Sequence, residues 1–200
     1  MTLSHFLLKE VNMKKIFAIL AMAVSTGVFA ASATIEYENI NGVQNTPTDQ
    51  RNINLTVREN INANFIGDVQ LSNTANVSTT SASDTVSSFR AEGGLTGLYD
   101  AGPVKLYTRG AVGQKYTSTT NFGYYSVEPG VIVPLGYGFS TKVGFRFRNA
   151  FDTANNDTTR TWRAGVGYDI TAKDAVAVRF DKVRGDSNQN AWNFNYTRSF

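Results

Sequence analysis

Hydrophobic and polar residues alternate on a period of two through most of the chain beyond residue 30. Ile53, Leu55 and Val57 alternate with Asn52, Asn54, Thr56 and Arg58, and Val143, Phe145 and Phe147 alternate with Lys142, Gly144, Arg146 and Arg148. One apolar and one polar face per segment is the pattern of a half-buried β-strand, not of a helix. It recurs in Ile35/Tyr37, Phe65/Val69/Leu71, Phe89/Ala91/Leu95, Val104/Leu106/Val112, Tyr125/Val127/Val131/Val133, Trp162/Ala164/Val166/Tyr168, Val176/Val178/Phe180 and Trp192/Phe194/Tyr196. The alternation predicts ten strands, near 33–41, 51–60, 63–72, 86–99, 103–117, 122–135, 138–150, 158–170, 174–184 and 190–200. Most match the roughly 9 to 11 tilted residues with which a barrel strand crosses a bilayer.

The connections alternate as well. Short turns around Ile61-Asn62, Asp100-Ala101-Gly102, Gly136-Tyr137 and Thr171-Ala172-Lys173 follow the even strands. Mostly longer polar loops, among them Asn41 to Gln50, Asn73 to Thr85 and Phe151 to Asp157, follow the odd ones. Short turns on one side and long loops on the other predict an all-β, antiparallel transmembrane β-barrel of about ten strands, with eight or twelve the alternative counts and both termini periplasmic. A soluble β-sandwich alternates too, but its polar face would here carry a dense set of charges, and the aromatics gather at strand ends. Tyr99, Phe139, Tyr168 and Phe200 fall near the turn end, and Tyr116, Tyr125, Phe147, Trp162 and Trp192 near the loop end. Two aromatic girdles mark two membrane interfaces.

The segment before the strands reads differently. Met13-Lys14-Lys15, the apolar run Ile16 to Val24 and the small residues ending in Val28-Phe29-Ala30 have the layout of a secretory signal peptide over 13–30. Cleavage after Ala30 is the first choice and after Ala33 the second; the apolar run is too short to span a membrane. Residues 1–12 read as a start assigned too early, since codons for Lys9-Glu10-Val11-Asn12 can form a ribosome-binding sequence just ahead of Met13. The barrel is then assigned 31–200, in the outer membrane of a Gram-negative cell.

Composition sharpens this picture. The 200 residues include no Cys, one His (His5) and three Met (Met1, Met13 and Met22), so nothing beyond residue 30 supplies any of the three. Mean hydropathy is −0.23 and aromatics make up 12%, which fits neither disorder nor a helical membrane bundle. Removal of residues 1–30 leaves 16 basic and 15 acidic side chains, and that near-neutrality gives no case for a nucleic-acid partner. A chain without cysteine suits an oxidising compartment.

The last strand, Trp192-Asn193-Phe194-Asn195-Tyr196-Thr197-Arg198-Ser199-Phe200, resembles the terminal strand of small Gram-negative outer-membrane barrels. The resemblance implies that Phe200 is the assembly signal read by the barrel-assembly machinery, with outer-membrane lipid and lipopolysaccharide as surroundings. Arg198 departs from that pattern, standing where an outward apolar residue is usual; it can snorkel to headgroups. Ile35-Glu36-Tyr37-Glu38, Glu128-Pro129-Gly130-Val131 and the recurring inward Arg resemble the oligogalacturonate-specific porin family. That likeness implies an arginine-lined lumen for acidic oligosaccharides, although the family has twelve strands and ten are counted here.

Strand parity predicts a lumen receiving Arg58, Arg90, Lys105, Arg109, Lys115, Lys142, Arg146, Arg148, Arg163 and Arg179 against Glu36, Glu38, Asp68, Glu92, Glu128, Asp169 and Asp181. This is ten basic against seven acidic side chains. The inner face has two readings: a pore whose basic wall favours small anionic solutes, or ion-paired rows that fill a narrow, non-conducting barrel serving as a structural or surface-binding platform. Eight-stranded interiors are just filled by side chains, so ten strands lie near the transition.

Catalysis finds little support. Without His or Cys beyond residue 30, Ser-His-Asp and zinc chemistry lack their parts, so no catalytic residue, metal site or cofactor is assigned. Glu36 and Glu38 share a face but lie opposite Arg, where pairing is their ordinary role. Gly93-Gly94-Leu95-Thr96-Gly97 opens no helix and is followed by no Lys, so it is no phosphate loop; inner-face glycines are read as clearance. Asp152 to Asp157 lacks the ligand spacing of a calcium loop and reads as a solvated tip. Pro129 is expected to mark a β-bulge.

Overall fold

The computed structural model describes residues 32–42, 49–77, 88–117, 119–155 and 157–200. The expected early start (1–12), the signal peptide (13–30) and most of the first two long loops lie outside the described residues.

Ten antiparallel strands close into a barrel, each paired with its neighbours in sequence. They are β1 Ser32–Gly42, β2 Asp49–Asn60, β3 Phe65–Val77, β4 Ser88–Asp100 and β5 Lys105–Tyr116, then β6 Asn121–Gly136, β7 Phe139–Ala150, β8 Thr159–Asp169, β9 Asp174–Gly185 and β10 Gln189–Ser199. Closure is made by β1 against β10, from Ser32↔Ser199 to Gly42↔Gln189. The strands are staggered: a circuit of paired residues from Tyr116 through Phe89, Asn73, Ile53, Tyr37, Phe194, Val178, Val166 and Thr141 reaches Val133, beside the partner of Lys105 at the other end of β5. One turn of the barrel thus climbs the length of a strand, the large shear that tilts strands by roughly 35–45°.

Turn chemistry sets the short connections. After β2, the Asn62 side chain accepts from the backbone N–H groups of Asn64 and Phe65 at 2.8 and 3.0 Å, an Asx-type turn. The β6–β7 hairpin turns on Tyr137 and Gly138, both at positive φ (54° and 81°), the geometry that matches the twist of the flanking strands. The bulge lies elsewhere than expected. The β6–β7 ladder skips Glu128 and Pro129 but resumes at Gly130↔Gly144 in unchanged register, and the shift falls between Pro134 and Gly136. Losing the Pro129 donor interrupts the ladder without adding a residue to the strand.

Burial is inverted relative to a water-soluble domain. Among the described residues, 16 polar or charged side chains are buried against 8 hydrophobic ones, while Ile35, Ile53, Val69, Leu95, Val112, Val143 and Val178 are exposed. An apolar exterior around a polar interior belongs in lipid. Aromatic pairs occupy both rims: Phe139 and Tyr168 lie 4.6 Å apart near the turn end, and Phe145/Trp162, Phe180/Trp192 and Tyr125/Phe151 lie 4.8, 5.1 and 5.7 Å apart towards the loop end. Arg198 points outward at the turn end and pairs with Asp174 at 3.0 Å, which also accepts from the Tyr196 hydroxyl at 2.6 Å. A counter-charge is therefore supplied to the residue that departs from the terminal-strand pattern.

Candidate functional site

The barrel interior is the site. Even-numbered residues of β1 to β4, β6 and β7 and odd-numbered residues of β5 and β8 to β10 face inward, and one cavity of about 700 Å³ lies among them. Its lining runs from Ser140, Gly167 and Thr197 near the turn end to Ser88, Thr117 and Gln189 near the loop end.

Two ion-pair networks knit the middle of the wall. In the first, Arg109 holds Asp68 through Nε and Nη2 (2.9 and 2.5 Å) and Glu92 through Nη1 (2.5 Å), and Arg146 reaches the other Glu92 oxygen at 2.5 Å. Arg146 lies on β7 and Glu92 on β4, so this pair skips two strands and reaches across the interior. In the second, Arg179 binds Asp181 (2.7 Å from Nε) and Glu36 (3.0 Å from Nη1), and Arg163 binds Glu128 and approaches Asp181 at 3.5 Å. Asn54 donates to Glu36 at 2.6 Å, Asn52 donates to Glu38 at 2.8 Å, and Lys142 stands 3.9 Å from Glu128. The fork of Arg matches a carboxylate on two sides at once, which accounts for Arg rather than Lys at the centres of both networks.

Space for these side chains comes from glycine. Tyr107 lies flat across Gly130, its direct partner on β6, and donates to Glu128 at 3.0 Å; a Cβ at Gly130 would sit 2.4 Å from its ring. Tyr124 covers Gly113 in the same way, with a Cβ there 2.7 Å from the ring. Two aromatic side chains thus fold against the wall instead of filling the lumen. Both fall on inward parity in the sequence, but as aromatics they resemble the outer face.

Towards the loop end Arg90 donates to Ser72 at 3.1 Å, and towards the turn end Arg58 donates to Thr34 at 2.7 Å. Neither has a carboxylate within ion-pair distance among the described residues. Arg148 and Lys115 meet Asp157, at 2.8 and 3.5 Å.

No protein-family model matches the sequence, and no curated protein matches it. Solved structures with the same fold do exist. The KdgM porin in complex with disordered oligogalacturonate superposes with a TM-score of 0.50 at 11% identity, over 84% of this chain and 99% of that one. The NanC porin superposes at 0.55 with 8% identity, over 84% and 100%. LpxR from Salmonella typhimurium gives 0.52 at 11% identity, over 86% and 85%. The fold is that of an outer-membrane β-barrel.

Within this outer-membrane barrel, the placement of the charged residues corrects the sequence reading at three points. Arg58, Arg90, Arg109, Lys115, Lys142, Arg146, Arg148, Arg163 and Arg179 line the cavity, as do Glu36, Glu38, Asp68, Glu92, Glu128 and Asp181. Lys105 and Asp169 do not: both have inward parity but are the terminal residues of their strands and stay exposed at the turn-side rim. Asp157, read as a solvated loop tip, is 6% exposed and faces the lumen. Carrying the odd register of β8 back two residues from Thr159 would have placed it there. Asp186 also joins the lining. The described lining therefore has nine basic and eight acidic side chains, and the expected excess of three positive charges shrinks to one.

Proposed function

We propose that the protein is a small porin-like channel of the Gram-negative outer membrane, passing small anionic solutes such as acidic oligosaccharides. The observation that carries this reading is the cavity whose polar lining extends from near one barrel end to the other. Anion preference is supported by where the charge lies. The mid-barrel networks balance five basic groups (Arg109, Lys142, Arg146, Arg163 and Arg179) against Glu36, Asp68, Glu92, Glu128 and Asp181. Towards the loop end Arg90, Lys115 and Arg148 are balanced by Glu38, Asp157 and Asp186, which leaves Arg58, towards the turn end, as the surplus positive charge of the described lining. Local wall charge of one sign selects ions of the other.

Both termini lie on the periplasmic side in this reading, lipid and lipopolysaccharide surround the apolar wall, and Phe200 is presented to the barrel-assembly machinery. The reading is of a channel and not an enzyme because the sequence beyond residue 30 supplies neither His nor Cys. A second reading, a non-conducting structural or surface-binding barrel, is favoured by the Arg146–Glu92 pair that crosses the interior.

Osmotic swelling of proteoliposomes separates the two. The channel reading expects swelling in isosmotic sodium glucuronate at a rate above protein-free vesicles; no swelling in glucuronate or in a neutral sugar of like size would favour the closed barrel.

A further inference from the structure

We propose that the loop-end mouth of the lumen holds a binding site for one carboxylate group, built from the Arg148 guanidinium and the Lys115 ammonium, with Asp157 as its intramolecular occupant. The site deepens the channel reading and takes its setting from it, though its test does not depend on conductance.

Asp157 reaches this position because the loop after β7 is tied down on both sides. Phe151 N–H donates to the Gly123 carbonyl at 2.9 Å, the Thr158 hydroxyl to Asn149 at 2.6 Å, and the Thr158 N–H to Asp186 at 2.6 Å. The carboxylate between those ties is turned inward and is 6% exposed. Its Oδ1 accepts from both cations, Arg148 Nη2 at 2.8 Å and Lys115 Nζ at 3.5 Å.

The fit is incomplete on both sides. Asp157 Oδ2 is buried without a hydrogen-bond partner, and so is Arg148 Nε. Nε and Nη2 are the two donors that an arginine offers side-on to a carboxylate, and a well-seated partner takes both. Asp157 takes one. A solute carboxylate free to align itself can take the pair, and leaving a buried donor unpaired is costly. The cations are themselves fixed, with Arg148 stacked 5.4 Å above the Tyr124 ring and Lys115 5.4 Å above Phe122. Arg90, the direct cross-strand neighbour of Lys115, adds a third positive charge beside them. Asp157 thus occupies one donor of the guanidinium fork in the resting barrel and yields the fork to an entering carboxylate, so that a solute is bound in competition with it and released again.

The test is calorimetric titration of the detergent-solubilised, folded barrel with sodium glucuronate, using wild type, Asp157→Asn, Asp157→Glu and the double variant Arg148→Gln/Asp157→Asn. Retained mobility of unheated samples on gels establishes folding of each. Removing the competing charge should tighten glucuronate binding about tenfold in Asp157→Asn, the scale of one charge-assisted hydrogen bond. The double variant should lose that gain, and Asp157→Glu, which keeps the charge on a longer arm, should bind no better than wild type. Equal affinities in wild type and Asp157→Asn, or a gain that survives removal of the Arg148 guanidinium, would overturn the site. A barrel that shows the expected pattern but passes no current keeps the site and loses the channel reading; a conducting barrel in which all four proteins bind alike does the reverse.

Discussion

Gly130→Ala is a small change that should be expensive. The added Cβ would stand 2.4 Å from Cε1 and Cζ of Tyr107 and 2.5 Å from its hydroxyl, contacts that real structures do not tolerate. Tyr107 is 4% exposed and cannot swing into solvent, so its ring must leave the wall and enter the lumen. That movement gives up the 3.0 Å hydrogen bond to the Glu128 carboxylate and the Lys142 ammonium 4.1 Å above the ring. A hydrogen bond to a charged acceptor contributes roughly 1.5 to 3 kcal/mol, and forced overpacking costs roughly 1 to 3 kcal/mol. A destabilisation of about 3 kcal/mol is therefore expected. Gly110→Ala provides the control, since a Cβ there meets nothing within 4 Å. Urea unfolding from lipid vesicles, followed by the fluorescence of Trp162 and Trp192, would measure both. In a Tyr107→Ala background the same Gly130→Ala change should cost much less, because the clash is with that ring. Equal midpoints for Gly130→Ala and Gly110→Ala would refute the reasoning.

Further outcomes follow from the two faces of the wall. Val143→Arg places a charge on the lipid-facing side and should cost about 2 to 4 kcal/mol near the bilayer midplane, read by the same unfolding assay. Asn54, a polar inward residue for which sequence parity alone suggests a far smaller cost, is 3% exposed, donates to Glu36 and accepts from the Ser72 hydroxyl; Asn54→Ala should lose roughly 1 to 3 kcal/mol by taking a donor from the buried Glu36 carboxylate and an acceptor from Ser72. Deleting Phe200 should lower the amount of assembled barrel in membranes while leaving the unfolding midpoint of the purified, refolded protein near wild type. Normal accumulation of the truncated protein would remove the assembly role.

All ten strands were legible because lipid on one side and polar lumen on the other force a period of two across the bilayer. The signal fails where the strand leaves the bilayer. β3 continues through Asn73–Val77, paired with Asp49–Ile53 of β2, although that stretch carries little apolar alternation. Outside the hydrocarbon the backbone ladder can continue without an apolar face. Parity also found most of the cavity wall but could not show which charges meet. Arg146 reaches Glu92 three strands away because the stagger of the closed barrel brings them to one level, and no local pattern encodes that pairing. Lys105 and Asp169 fail for a simpler reason: inward parity at the terminal residue of a strand, the first of β5 and the last of β8, points at the rim and not at the lumen.

The claim that the lumen conducts is tested most directly by planar-bilayer recording of the purified barrel across a potassium chloride gradient. Discrete conductance steps and a reversal potential displaced towards that of chloride are expected. A barrel that inserts yet gives no steps, or one whose reversal potential lies towards potassium, would contradict it.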